Sequence, residues 1–212
     1  MKNEIYNLYL ELLRKHGKGE KFWPQWCAQT KDLKLREIIA IGAILTQRTS
    51  WHNADLALKN LKKENLLSLK KISDLLDFEL LTKLIRPAGF YQSKPKRLFE
   101  FSSFIINKYG NLENFKNEDI KKARSELLSC YGIGPETADT LLLYSLDRPS
   151  FIVDAYTKRL VKEKSLVTEF DYDHLKKIFE KSLPLDIEIY QNFHTLIIVE
   201  QKGEIESKME II

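Results

Sequence analysis

The residues best suited to chemistry lie between positions 131 and 159. Tyr131-Gly132-Ile133-Gly134-Pro135-Glu136-Thr137-Ala138-Asp139 sets two glycines between an amphipathic run, Ala123 to Cys130, and a second, Thr137 to Leu146. This pattern predicts helix, tight turn, helix. Glycine lacks Cβ and allows positive φ, so the turn bares backbone amides at the start of a helix and makes an anion site suited to a DNA phosphate. Downstream, Phe151-Ile152-Val153 ends in Asp154, at the N-cap position of a helix that begins Ala155-Tyr156-Thr157-Lys158-Arg159. A carboxylate there can simply cap the helix, or it can stand beside a centre that gains positive charge during a reaction.

Other candidates are spread more widely. Phe22-Trp23-Pro24-Gln25-Trp26 is a dense aromatic cluster, and Trp51 follows Leu45-Thr46-Gln47-Arg48-Thr49-Ser50. Trp23 and Trp51 fit a stacking pocket or a packed core, whereas Trp26 is read as core. Gln47 and Arg48 close an apolar helix just before a polar turn and could be ordinary exposed terminal residues or contacts to a nucleic acid. Lys158 and Arg159 could neutralise phosphates or be a solvated helix face. Lys94, Lys96, Lys121 and Lys122 read as solvated surface charges. His52, His174 and His194 show no metal-ligand spacing, and His194 is read as structural with no part in proton transfer. No metal site is expected. The two cysteines, Cys27 and Cys130, are too few for a tetrathiolate and read as buried structural thiols.

These residues need a scaffold, and the sequence predicts an all-α one. Leucine, isoleucine and phenylalanine recur at helical spacing, and no strict alternation is long enough for a sheet. Helices are expected at 2–15, 33–46, 51–61, 66–71, 78–84, 92–108, 118–130, 136–146, 154–163, 171–181 and 187–202, with fraying over 204–212. At 212 residues the chain can bury a substantial core. A net charge of +4 is compatible with nucleic-acid binding through a local patch without requiring it. No run approaches membrane-span length and no signal-peptide pattern opens the chain. A cytoplasmic protein, nucleoid-associated when acting on DNA, is therefore expected.

The chain resembles the helix-hairpin-helix GPD-type base-excision DNA glycosylases, and within them the endonuclease III-related proteins and the 3-methyladenine glycosylases of the MagIII type. The resemblance rests on Leu45-Thr46-Gln47-Arg48-Thr49-Ser50-Trp51, on Ile85-Arg86-Pro87-Ala88-Gly89-Phe90-Tyr91, on the hairpin, on Val153-Asp154-Ala155-Tyr156-Thr157 and on Phe193-His194-Thr195-Leu196-Ile197. It implies a two-lobed fold with a DNA- and base-binding cleft. A six-helix barrel would occupy 33–146, including the helix-hairpin-helix at 123–146, and a second lobe would form from 1–32 and 147–212.

The implied partner is double-stranded DNA carrying a damaged base, bound by a monomer. Asp154 matches the catalytic aspartate, 18 residues after Glu136, and would stabilise the cationic sugar left as the base departs and orient water. Trp23, Pro24, Trp51 and Glu136 would line the base pocket, where an alkylated purine such as 3-methyladenine gains cation–π attraction. Gln47 would wedge into the duplex, with Arg48 beside it, and Gly132, Ile133, Gly134, Thr137 and Lys158 would hold the backbone.

Bifunctional members carry a lysine nucleophile where this chain has Glu136, so base removal without strand cleavage is expected. No cofactor is required. A monovalent cation can sit at the hairpin, and the iron-sulfur cluster of many relatives is absent, so some other packing or ion-pair arrangement must hold the last segment. The rivals are an endonuclease III-like enzyme for oxidised pyrimidines or mismatched bases with weak lyase activity, and a damage-binding module without catalysis.

Overall fold

The computed structural model describes residues 2–205 and 207–209, and all regular secondary structure among them is helical. In chain order the helices are α1 (Lys2–His16), α2 (Leu33–Leu45), α3 (Trp51–Lys63), α4 (Leu69–Ser73), α5 (Glu79–Ile85), α6 (Lys94–Tyr109), α7 (Leu112–Lys116), α8 (Ile120–Ser129), α9 (Pro135–Thr140), α10 (Ala155–Glu163), α11 (Tyr172–Ser182) and α12 (Ile187–Lys202). Single 3₁₀ turns lie at Gly19–Lys21 and Arg86–Ala88. The chain divides into two compact units: one from Thr30 to Leu146, the other from the segments up to Gln29 and from Asp147 to the last described residues.

In the 30–146 unit, α2 starts at Asp32, whose carboxylate accepts the amide of Leu35 at 2.8 Å. Every residue from Arg36 to Leu45 is buried, so this helix runs through the core and does not lie along a face. The buried Arg36 bonds Glu113 Oε1 on α7 at 2.6 Å and the Ser145 carbonyl at 2.7 Å, and Ser145 Oγ returns a bond to the Arg36 carbonyl at 3.0 Å. α7 is absent from the helices expected from sequence. Its five residues are too few to show a period, and it is held by its Asn111 cap and by burial of Leu112 and Phe115. The expected helix 136–146 is also not uniform: α9 widens into a π-helical turn at Leu141–Ser145, where Leu146 N bonds Leu141 O at 3.0 Å.

Lys94 corrects the sequence reading more sharply. It is fully buried, not a surface charge. Its ammonium donates to the carbonyls of Leu45 (2.6 Å) and Ala88 (2.7 Å), and burial, with Arg97 nearby, pushes it down to about 8. Lys94 therefore stays mostly charged at neutral pH.

The other unit is organised by α12, buried from Tyr190 to Val199. Phe151 and Phe179 stack at 4.4 Å, with Tyr190 and Phe193 at their edges. The last turn of α12 and the residues beyond it are fastened to α1 and the turn after it. His16 reaches Glu200 (2.7 Å) and Glu204 (3.1 Å), while Lys15 pairs with Glu200 and Lys21 with Glu204. Two further bonds hold the residues that follow: Met209 N to Phe22 O at 2.9 Å and Trp23 Nε1 to Ser207 O at 2.7 Å. The fraying expected over 204–212 falls in part on residues 206 and 210–212, outside those described.

Candidate functional site

Asp154 is set by what precedes and follows it. Phe151, Ile152 and Val153 are buried, and the Phe151 amide bonds Glu180 Oε1, itself gripped by the buried Lys176, whose ammonium also reaches Ser150 Oγ and the Phe151 carbonyl. The segment is therefore held in place up to the carboxylate. Asp154 then caps α10: its Oδ1 accepts both the Thr157 amide (2.7 Å) and the Thr157 hydroxyl (2.8 Å). The cap occupies one oxygen only. Oδ2 lies 3.7 Å from His194 Nε2, a contact longer than a hydrogen bond and within reach of an ion pair. Asp154 is 9% exposed. Burial pushes its carboxyl up, but His194 and the Thr157 donors outweigh burial and hold it below the usual carboxylate value.

His194, which the sequence reading took as structural, stands between Asp154 and Trp23, whose ring meets the imidazole edge-on at 5.7 Å. Trp23 itself is 5% exposed, with Trp26 against it at 5.9 Å. Its turn docks on α12 through Gly19, whose amide bonds Asn192 Oδ1 at 2.7 Å, and a Cβ there would lie 3.0 Å from Thr195. Trp26 belongs to the core, and Pro24 is half-buried beside the tryptophan pair.

In the 30–146 unit, α8, the turn and α9 form the expected hairpin. Arg124 on α8 makes a two-point bond to the fully buried Asp139 on α9 (2.9 and 3.0 Å), which fixes the angle between the two helices. Gly132 adopts φ +75°, and a Cβ there would fall 2.5 Å from Arg97 Cγ. Gly134 differs. Its φ is −93° and a Cβ would meet nothing within 4 Å, so neither its backbone nor the chain's own packing requires glycine there. It is also the N-cap of α9 and has no side chain to bond the helix's opening amides. Ile133 buries its side chain, leaving its main chain alone to act outward.

Gln47 is tied to this hairpin. Its Nε2 donates to Gly132 O (3.0 Å) and Thr137 Oγ1 (2.9 Å), and its Oε1 accepts from Arg97 Nη1 at 2.5 Å. Gln47 is therefore half-buried and bonded at both ends of its amide, not the ordinary solvent-exposed terminus considered from sequence. Arg97 is a residue that sequence reasoning missed, with no local signal to mark it. Arg48 is exposed with φ +53°, Trp51 is half-buried in the first turn of α3, Glu136 is exposed in the first turn of α9, and Lys158 is half-buried on α10. No group of three or more His, Cys, Asp or Glu among the described residues could hold a metal ion. Burial pushes the Cys130 thiol up to about 11, so it is unreactive at neutral pH.

Residues 41–185 match the HhH-GPD superfamily of base excision DNA repair proteins. A protein of Methanocaldococcus jannaschii named as a DNA repair glycosylase is 48% identical over 197 residues, covering 92% of this chain and 85% of that one. Endonuclease III of Thermotoga maritima is 28% identical over 70% of this chain and 66% of its own length. Among solved structures, the 3-methyladenine DNA glycosylase MagIII of H. pylori, bound to 1,N6-ethenoadenine, superposes with a TM-score of 0.74 at 30% identity over 99% of this chain and 97% of that one. An endonuclease III–DNA complex shares the fold, with a TM-score of 0.71 at 19% identity.

Proposed function

Because this chain belongs to the HhH-GPD superfamily of base excision DNA repair proteins, we propose that it is a monofunctional DNA N-glycosylase that removes an alkylated purine such as 3-methyladenine from duplex DNA. The observation that carries this reading is the division of labour at Asp154. One carboxylate oxygen completes the helix, and the other is turned toward His194 and thereby toward the Trp23 cluster.

In the proposed reaction the bond from the sugar C1′ to the base nitrogen breaks and its electron pair leaves with the base. Asp154 stabilises the cationic sugar. Water then adds at C1′, its proton passing to the carboxylate. A base that is already cationic leaves without a general acid, so one carboxylate and aromatic faces suffice. Trp23, Pro24, Trp51 and Glu136 are the proposed base contacts, and the likeness to a 3-methyladenine glycosylase supports this substrate class.

Glu136 supports hydrolysis over lyase chemistry, since a carboxylate forms no imine. Lys94 does not replace the missing amine: it is fully buried and bonded to two carbonyls. Gly132, Gly134, Thr137 and Lys158 are proposed to hold the DNA backbone. A monovalent cation is proposed at the hairpin, on backbone carbonyls near Gly132 and Gly134. It would add positive charge beside a phosphate.

The test is release of bases from duplexes carrying 3-methyladenine, 7-methylguanine, hypoxanthine, uracil, thymine glycol or 8-oxoguanine, with and without alkali and borohydride. Release of 3-methyladenine, with strand breaks only after alkali, is expected. Excision confined to thymine glycol or mismatched bases, or a borohydride-trapped adduct, would overturn the reading in favour of an endonuclease III-like enzyme. Binding without release of any base would favour a non-catalytic module.

A further inference from the structure

One face of α6 carries two cations spaced three residues apart, and both address the turn that bears Gln47. Arg97 holds the Gln47 side chain, and Lys94 holds the main chain two residues before it, through the Leu45 carbonyl. That carbonyl ends α2 and has no helical partner of its own. The same ammonium bonds the Ala88 carbonyl, immediately before Gly89 (φ +71°) and Phe90 (φ +48°). Arg48 is likewise left-handed, at φ +53°. Lys94 therefore joins two turns, each with a residue in the left-handed region, at the point where each leaves its helix.

Burying an ammonium completely carries a desolvation penalty before compensation, and an apolar residue on α6 would fill the core without it. A charge placed on two helix ends, with no carboxylate beside it in its bonds, suits fixing backbone position better than packing. We infer that Lys94 is a positioning residue for strand separation, holding the Gln47 turn rigid so that the side chain can enter the duplex when Arg97 and the hairpin release it. This rests on the reading of Gln47 as the residue that replaces the extruded base.

The experiment uses a duplex containing a tetrahydrofuran abasic analogue with 2-aminopurine in the opposite strand. Entry of a side chain beside the orphan base changes its fluorescence, and no base need be released. Lys94→Met should bind this duplex within about threefold of the wild type yet lose most of the fluorescence change. Lys94→Arg, which keeps the charge, should recover part of it. On a duplex with the excised base, Lys94→Met should lower kcat tenfold or more with KM little altered. Equal losses of binding and fluorescence, or a wild-type fluorescence change in Lys94→Met, would overturn the inference. If Lys94→Met does not fold, Lys94→Gln replaces it, and failure of both to fold would make Lys94 a determinant of folding and overturn the assignment. Absence of excision by the wild type would sink the glycosylase reading while the fluorescence still reports on Lys94.

Discussion

His194 Nε2 approaches Asp154 through Oδ2, at 3.7 Å, the oxygen that takes no part in capping α10. The two uses of an aspartate before a helix, cap and reactive carboxylate, are therefore compatible in one side chain. Asp154→Asn separates them. Asparagine keeps an acceptor for the Thr157 amide and hydroxyl, so thermal stability at pH 7 should change little, whereas excision should fall by about 10²–10³-fold with the loss of the negative charge. Asp154→Ala should in addition cost about 1 kcal/mol of stability through the lost cap. Single-turnover excision and thermal denaturation on both variants check this, and Asp154→Asn with unchanged excision would refute the mechanism.

The pH dependence follows from the same contact. Asp154 has a folded-state value below its unfolded one, so its contribution is present above the unfolded value and is lost as pH falls through the lower, folded one. Excision should therefore show no acid limb from Asp154 in the ordinary carboxylate range. In His194→Gln the imidazole is gone while burial and the Thr157 donors remain, so the carboxyl value should rise and an acid limb should move up toward view. Rate profiles from pH 4 upward on the two proteins measure the displacement. Identical profiles would mean that His194 does not act on the carboxylate.

The hairpin glycines should separate stability from binding. Gly132→Ala forces a Cβ onto a left-handed residue against Arg97 and should destabilise the fold by about 1–2 kcal/mol. Gly134→Ala meets open space at an ordinary φ. It should leave denaturant stability unchanged and, on the proposed contact of the hairpin with a DNA phosphate, weaken duplex binding by about tenfold. Denaturant titrations and fluorescence anisotropy on both variants distinguish the two effects.

Much of this arrangement was legible in the sequence, and the reason is local. Helix periodicity, the paired glycines and an aspartate before Ala155 are all written within a few residues, so α-class, hairpin and cap could be read directly. Lys94, Arg97 and His194 reach partners far along the chain, Lys94 the Leu45 carbonyl, Arg97 the Gln47 side chain and the Gly132 turn, and His194 Asp154 and Trp23. Nothing in the run Lys94-Pro95-Lys96-Arg97 tells the buried Lys94 and the half-buried Arg97 from the exposed Lys96 between them. Gly134 was read as a conformational requirement, yet its backbone is one that any residue adopts. The type of residue was visible and the physical reason was not.

The Arg124–Asp139 pair makes the hairpin angle a measurable quantity. Asp139 is fully buried and receives both guanidinium bonds from the adjoining helix. Arg124→Met takes both guanidinium bonds from that buried carboxylate and should destabilise the protein by about 3–5 kcal/mol, while combining Arg124→Met with Asp139→Leu should recover much of the loss. The recovered protein would keep a packed core without the fixed fork geometry. If the pair exists to set the angle at which α9 presents its amides, the double variant should be stable and yet bind duplex DNA less tightly at every salt concentration. Its salt dependence should keep the wild-type slope, because no phosphate-neutralising side chain has been removed. Wild-type affinity in that variant would assign the ion pair to stability alone.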